Sequence, residues 1–196
     1  MPFKTNYGHE LFNDCLFFRD QARTLNSSTQ RKERIFEIRR AVRASFISLW
    51  NFWEYWINNE ILSLTEDRVM KIKGVNRLED HEINLTVQQN SLLRLPFDSK
   101  LDLFVLLTGI DARREAKLMA RIERMKSTRN ELVHPSRKKP FFPEKYMAHI
   151  DEGIETTRLF FKALIEAKRY LPSTFGYLTD EEPRDLAGLG YGHIRI

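Results

Sequence analysis

The sequence predicts an all-α protein, a bundle of four or five helices followed by an irregular glycine-rich C-terminal stretch. Three observations point there. Apolar residues recur at three- and four-residue steps through several long runs, proline and glycine fall at the ends of those runs, and no segment alternates at period two long enough to argue for a sheet. The 196 residues suit one compact domain with appendages. With 42% hydrophobic residues the chain can build a full core, which excludes disorder for most of it.

In the first helix Leu11, Cys15, Phe18, Ala22 and Leu25 form one apolar stripe, and Asn26-Ser27-Ser28-Thr29 reads as the turn after it. From Gln30 to about Leu64 no proline or glycine intervenes, and Ile35, Ile38, Val42, Phe46, Leu49 and Trp53 keep the period of one long central helix. Between Phe46 and Ile57 apolar side chains run nearly all the way round, including all three tryptophans, Trp50, Trp53 and Trp56. Such a helix needs cover on two faces, as the middle of a bundle or as a subunit interface.

Thr65 to Leu95 favours no period and is expected to be a connection with short helical pieces. Helical patterning resumes from Phe97 to Leu107 after Pro96, and Gly109 stops it. Asp111 is suited to cap the next helix, Ala112 to His134, which Pro135 closes. Pro143 fits the first position of a last helix, carried by Met147, Ile150, Ile154, Phe161, Leu164 and Lys168 to about Leu171. Residues 1–171 are therefore read as the helical domain. Residues 172–196 are read as an extension, docked or mobile, with four of the eight glycines and the acidic Asp180-Glu181-Glu182.

A single cysteine, Cys15, excludes an internal disulfide, and the opening residues lack the apolar core of a signal peptide, so a reducing cytoplasm is expected. The most apolar window, Ala44 to Trp53, ends at Glu54 and falls far short of the about 20 residues that span a bilayer, so no membrane is expected. The net charge of +5 is unevenly spread. Residues 112–139 hold ten bases against three acids, a local excess of +7 that favours a polyanionic partner.

Within that window lies Lys126-Ser127-Thr128-Arg129-Asn130-Glu131-Leu132-Val133-His134-Pro135. On an ideal helix Leu118, Ile122, Met125, Leu132 and Val133 all fall within about 60° of Arg129, placing a guanidinium where a core residue is expected. An arginine cannot shed its charge, so this one should face a carboxylate, a water-filled cleft or a polyanion, with Glu54 as a candidate partner. His134 lies about 140° around and about 7.5 Å along the helix. Because it precedes proline, the helix should fray there and free the imidazole to swing toward Arg129. Asn130, one turn before His134, can orient it or bind phosphate. Capping of the helix dipole would also place Arg129 and His134 here.

Arg129-Asn130-Glu131-Leu132-Val133-His134 resembles the R-N-x-x-x-H signature of HEPN domains, the higher-eukaryote and prokaryote nucleotide-binding domains. The long early helix with Arg39-Arg40-Ala41-Val42-Arg43-Ala44-Ser45-Phe46, the middle Lys100-Leu101-Asp102-Leu103 followed by Gly109, and the closing helix are similar to that family's layout over roughly Gly8 to Leu171. The resemblance implies a helical bundle that forms a homodimer and acts as a metal-independent endoribonuclease of toxin–antitoxin or defence systems. An antitoxin or a nucleotidyltransferase-type protein would be its partner. His134 would then be general acid or base, Arg129 would hold the scissile phosphate, and Asn130 would orient. Lys126, Arg137, Lys138 and Lys139 would draw RNA in. The alternative is a non-catalytic HEPN module that binds a nucleotide, RNA or a protein.

No cofactor or metal is expected. His81 among Glu79, Asp80 and Glu82, and His149 with Glu152, are each short of a three- or four-ligand set. Gly188-Leu189-Gly190-Tyr191-Gly192 follows no strand and opens no helix, which excludes a phosphate loop. The aromatic stretch of the central helix can be read as a base-stacking surface, but its spacing favours core or interface.

Overall fold

Among the described residues apolar periodicity becomes five helices, α1 Tyr7–Ser27, α2 Ile35–Thr65, α3 Phe97–Thr108, α4 Ala116–Val133 and α5 Pro143–Glu166. The computed structural model describes residues 7–65, 70–72, 83–85, 94–134 and 141–167. The proposed C-terminal extension, 172–196, lies outside them.

Contact pairs fix the helix directions. Tyr7 meets Tyr55 and Phe12 meets Phe52, both at 5.2 Å between ring centroids, while Ser45 Oγ donates to the Cys15 carbonyl at 2.7 Å. Numbers rise on one helix as they fall on the other, so α1 and α2 form an antiparallel hairpin. By contrast, Trp50 meets Phe97 at 4.4 Å and Trp56 meets Phe104 at 5.1 Å, so α3 runs parallel to α2. Trp53 Nε1 donates to Thr157 Oγ1 at 2.8 Å and Trp56 meets Phe160 at 6.0 Å, which sets α5 parallel to α2 as well. Arg114 reaches Glu166, Arg124 reaches Glu152, and Tyr146 reaches Glu131, which makes α4 antiparallel to α5.

α2 touches all four other helices. Trp50, Trp53 and Trp56 are each at most 4% exposed within the single chain. The open choice between bundle middle and subunit interface is settled as bundle middle, so the two-sided apolar character of α2 gives no argument for a dimer. Gly153 lets α5 approach: a Cβ there would lie 2.6 Å from Leu49 Cδ2.

Two expected boundaries shift. Residues 28–34 are turns, because Gln30-Arg31-Lys32-Glu33-Arg34 offers no apolar face to bury, and α2 begins only at Ile35. Asp111 does cap, but it caps the separate turn 112–115. Its Oδ1 accepts the backbone N–H of Arg113 at 2.9 Å and of Arg114 at 3.2 Å, and α4 starts at Ala116. Within Thr65 to Leu95, expected to be a connection with short helical pieces, the structure describes two three-residue strands, β1 Met70–Ile72 and β2 Ile83–Leu85, paired antiparallel with Met70 opposite Leu85, while 66–69, 73–82 and 86–93 lie outside the described residues. Gly109, at φ 73°, ends α3 in the left-handed conformation, where glycine carries no Cβ penalty. Among the described residues no helix is long and apolar enough to cross a membrane.

Cys15 is fully buried against Ser45, and burial pushes its thiol up to about 12. The folded thiol should therefore stay unreactive toward a disulfide reagent at pH 8 and react only on unfolding, as followed by absorbance with and without denaturant. Above the unfolded thiol's pKa the unfolded state binds fewer protons than the folded one. Cys15 therefore contributes stability that is fully present below about pH 9 and is lost as pH climbs toward about 12.

Candidate active site

The cationic helix α4 buries Leu118, Ile122, Met125, Thr128 and Leu132. This stripe is centred near Met125, and Arg129, about 40° from that centre, falls within it yet is only half-buried. The stripe also ends before the helix does, because Val133 is 38% exposed and His134 lies open to solvent. His134 is the C-cap, at φ −117° and ψ 66°, outside the α region as expected of a residue before proline. Its N–H donates to the Asn130 carbonyl at 2.9 Å.

Asn130 ties the group together. Arg129 Nη1 donates to Asn130 Oδ1 at 3.1 Å, and the same residue's carbonyl anchors His134. The structure thus brings Arg129 and Asn130 into contact and ties His134 to Asn130 through the backbone, at the helix end. The imidazole makes no hydrogen bond among the described residues.

The expected Arg129–Glu54 pair is not found among the described residues. Glu54 Oε1 instead accepts Trp50 Nε1 at 2.7 Å, and its charge opposes the downward pull that burial exerts on Lys100. Arg129 has no carboxylate within 4 Å among the described residues, unlike its neighbours on α4. Arg124 holds Glu152 at 2.7 Å, and Lys126 Nζ holds Asp98 at 2.6 Å. That hydrogen bond from Lys126 raises the ammonium's pKa. Lys126, expected to draw RNA in, is therefore a neutralised α3–α4 link, and Arg137, Lys138 and Lys139 lie outside the described residues.

The first turns of α2 and α5 gather beside the motif. Tyr146 OH donates to Glu131 Oε2 at 3.3 Å, and burial followed by the Glu131 charge raises the phenol's pKa. Phe141 stacks on Tyr146 at 4.7 Å, and the Arg39 guanidinium lies 5.3 Å from the Phe141 centroid and 6.0 Å from that of Phe36. Arg43 is close enough for its charge to act on Tyr146. Sequence reasoning missed Arg39 and Arg43 as neighbours of the motif. Their i, i+4 spacing on α2 was the available signal, without which helix they approach.

His149 Nδ1 lies 3.7 Å from Glu152 Oε2, but Arg124 holds the same carboxylate and is the main cause of its lowered pKa. Among the described residues no group of three or more His, Cys, Asp or Glu is placed to hold a metal ion; His81 and the glycine-rich segment Gly188 to Gly192 lie outside them. A scan against protein-family models and searches of curated proteins and of solved structures return no match.

Proposed function

We propose that the protein is a HEPN-type endoribonuclease that cuts RNA without a metal, at a site built on Arg129, Asn130 and His134. The observation that carries this reading is the Arg129 guanidinium, which has no carboxylate within 4 Å among the described residues and is held by Asn130, one helical turn before a solvent-open histidine. An arginine fork matches phosphate oxygens, and a histidine exchanges protons near neutrality.

The ribose 2′-oxygen attacks the adjacent phosphorus, the bond to the 5′-oxygen breaks, and the products are a 2′,3′-cyclic phosphate and a 5′-hydroxyl. One imidazole accepts the 2′-OH proton and another donates to the leaving oxygen, which is the chemical reason for a homodimer with two His134 side chains in one cleft. Exposed Phe36, Val133 and Phe142, 72%, 38% and 56% open, offer that second copy an apolar surface at the motif's end of the bundle. Such an activity endangers the cell that makes it. A toxin or defence role, restrained by an antitoxin or nucleotidyltransferase-type partner in the cytoplasm, belongs to the same proposal.

Mixed RNA incubated with the purified chain in excess chelator tests the reading. Fragments ending in cyclic phosphate are expected, and none from DNA, which lacks the 2′-nucleophile. Intact RNA would leave the non-catalytic HEPN binding module as the better account. A monomer by light scattering at micromolar concentration would overturn the shared cleft.

A further inference from the structure

Cations also converge at the opposite end of α4. Where α4 begins and α5 ends, a groove of about 310 Å³ opens between the two helices. Lys117 and Arg121, one turn apart on α4, and Lys162 on α5 line it, over the apolar Leu118, Leu159 and Ala163. A smaller cavity of about 90 Å³ shares Glu115, Ala163 and Glu166 with this groove and continues it to Ala167, the last described residue of the chain.

Among the described residues no carboxylate pairs with Lys117, Arg121 or Lys162. The two acids at the groove are engaged elsewhere: Arg114 Nη2 donates to Glu166 Oε2 at 3.0 Å, and its Nε lies 3.7 Å from Glu115 Oε1. Arg121 does act on Glu152 at longer range, but that carboxylate is held by Arg124 at 2.7 Å. Like charges one turn apart on a helix repel, and a carboxylate seated between them relieves that repulsion. Cations around an apolar floor therefore favour a segment that is part acidic and part apolar.

The chain itself contains such a segment. Residues 172–196, outside the described residues, hold Asp180, Glu181, Glu182 and Asp185 against two arginines, in a protein whose net charge is +5. Phe175, Tyr177 and Leu178 stand directly before the acids. Thirteen residues lead from Ala167 to Asp180, about 40 Å of extended chain, whereas Lys162 lies only about 7.5 Å back along α5 from Ala167. Tethered at the mouth of the groove, the segment meets it at an effective concentration on the order of millimolar, so that individually weak contacts suffice.

We propose that Phe175 to Glu182 of the same chain folds back into this groove, with Asp180, Glu181 and Glu182 against Lys117, Arg121 and Lys162 and the aromatic side chains on the apolar floor. Lys117 stands about 18 Å along α4 from Arg129, and the docking holds whether or not the chain cuts RNA.

Disulfide trapping in the full chain is the test, because Cys15 is fully buried with its thiol pushed up to about 12 and leaves introduced cysteines as the reactive ones. Leu159→Cys puts a thiol in the groove and Thr179→Cys puts one beside the acids, with every charge kept. In the control pair Ala120→Cys, exposed on α4 and outside the groove, takes the place of Leu159→Cys. Lys162→Cys, exposed at the groove's rim, repeats the measurement without altering the floor. Under mild oxidation the groove pairs are expected to close within one chain about tenfold faster than the control, at a rate independent of protein concentration. Salt at about 1 M, where the screening length falls to about 3 Å, should slow that closure, and so should Lys117→Glu with Arg121→Glu. Adding Asp180→Lys with Glu181→Lys to the second of these should restore it. The proposal is overturned if groove and control pairs close at equal rates, if the disulfide joins two chains, if salt and charge reversal leave the rate unchanged, or if the opposite reversal fails to restore it.

Discussion

Replacing His134 with alanine is expected to lower RNA cleavage by about 10²–10⁴-fold, the usual contribution of a positioned general acid or base. Arg129→Ala is expected to cost about 10²–10³-fold, the scale for losing one group that stabilises charge developing on the reacting phosphate. Arg129→Lys should rescue little, because an ammonium cannot reproduce the planar two-point grip on phosphate oxygens. Arg129 is only half-buried and His134 lies open to solvent beyond the buried stripe of α4, so circular dichroism and the thermal midpoint should change little. Initial rates on one RNA in chelator would measure all three variants. Wild-type rates for both alanine variants would remove Arg129 and His134 from the chemistry. If the imidazoles act in pairs, mixing His134→Ala chains into wild-type chains should lower activity by more than the share of variant added, because a mixed cleft keeps only one imidazole.

The largest stability effect should come from Trp53. Its ring is 1% exposed, packs 5.0 Å from Phe160 and 6.5 Å from Trp56, and donates to Thr157 Oγ1 at 2.8 Å. Trp53→Ala removes that volume where α2 meets α5 and is expected to cost about 3–5 kcal/mol. Domains of this kind have only about 5–15 kcal/mol in total, so the variant should be near or below the folding threshold at 37 °C. Thr157→Val tests the hydrogen bond separately. It keeps the shape but leaves the buried indole N–H without its acceptor, for about 1–3 kcal/mol. Urea unfolding with an unchanged slope should rank Trp53→Ala well beyond Thr157→Val. Equal effects would mean that the hydrogen bond, rather than the packing, dominates at this position.

The helical class was legible because long runs of one period leave few alternatives, and α2 shows why legibility stopped short of assembly. Periodicity reports how many faces are apolar. It does not report whose atoms cover them, and here α1, α3, α4 and α5 of the same chain do so. The start of α4 was misplaced because Asp111 has the right chemistry for a cap but spends it on a turn of its own. At the candidate site, the end of α4 at His134 followed from Pro135 by local sterics. The loss of Lys126 to Asp98, 28 residues away, depended on how helices pack, whereas Glu54 turns to Trp50 one turn back on its own helix.

All three indoles occupy a span of seven residues in α2. Intrinsic fluorescence is thus an observer stationed at the middle of the bundle. It will register the departure of any enclosing helix from α2, yet stay silent while the last turn of α4 loosens around Arg129 and His134. Hydrogen exchange at those amides, compared with the emission trace in one denaturant series, would show whether the end that carries Arg129 and His134 breathes independently of the centre.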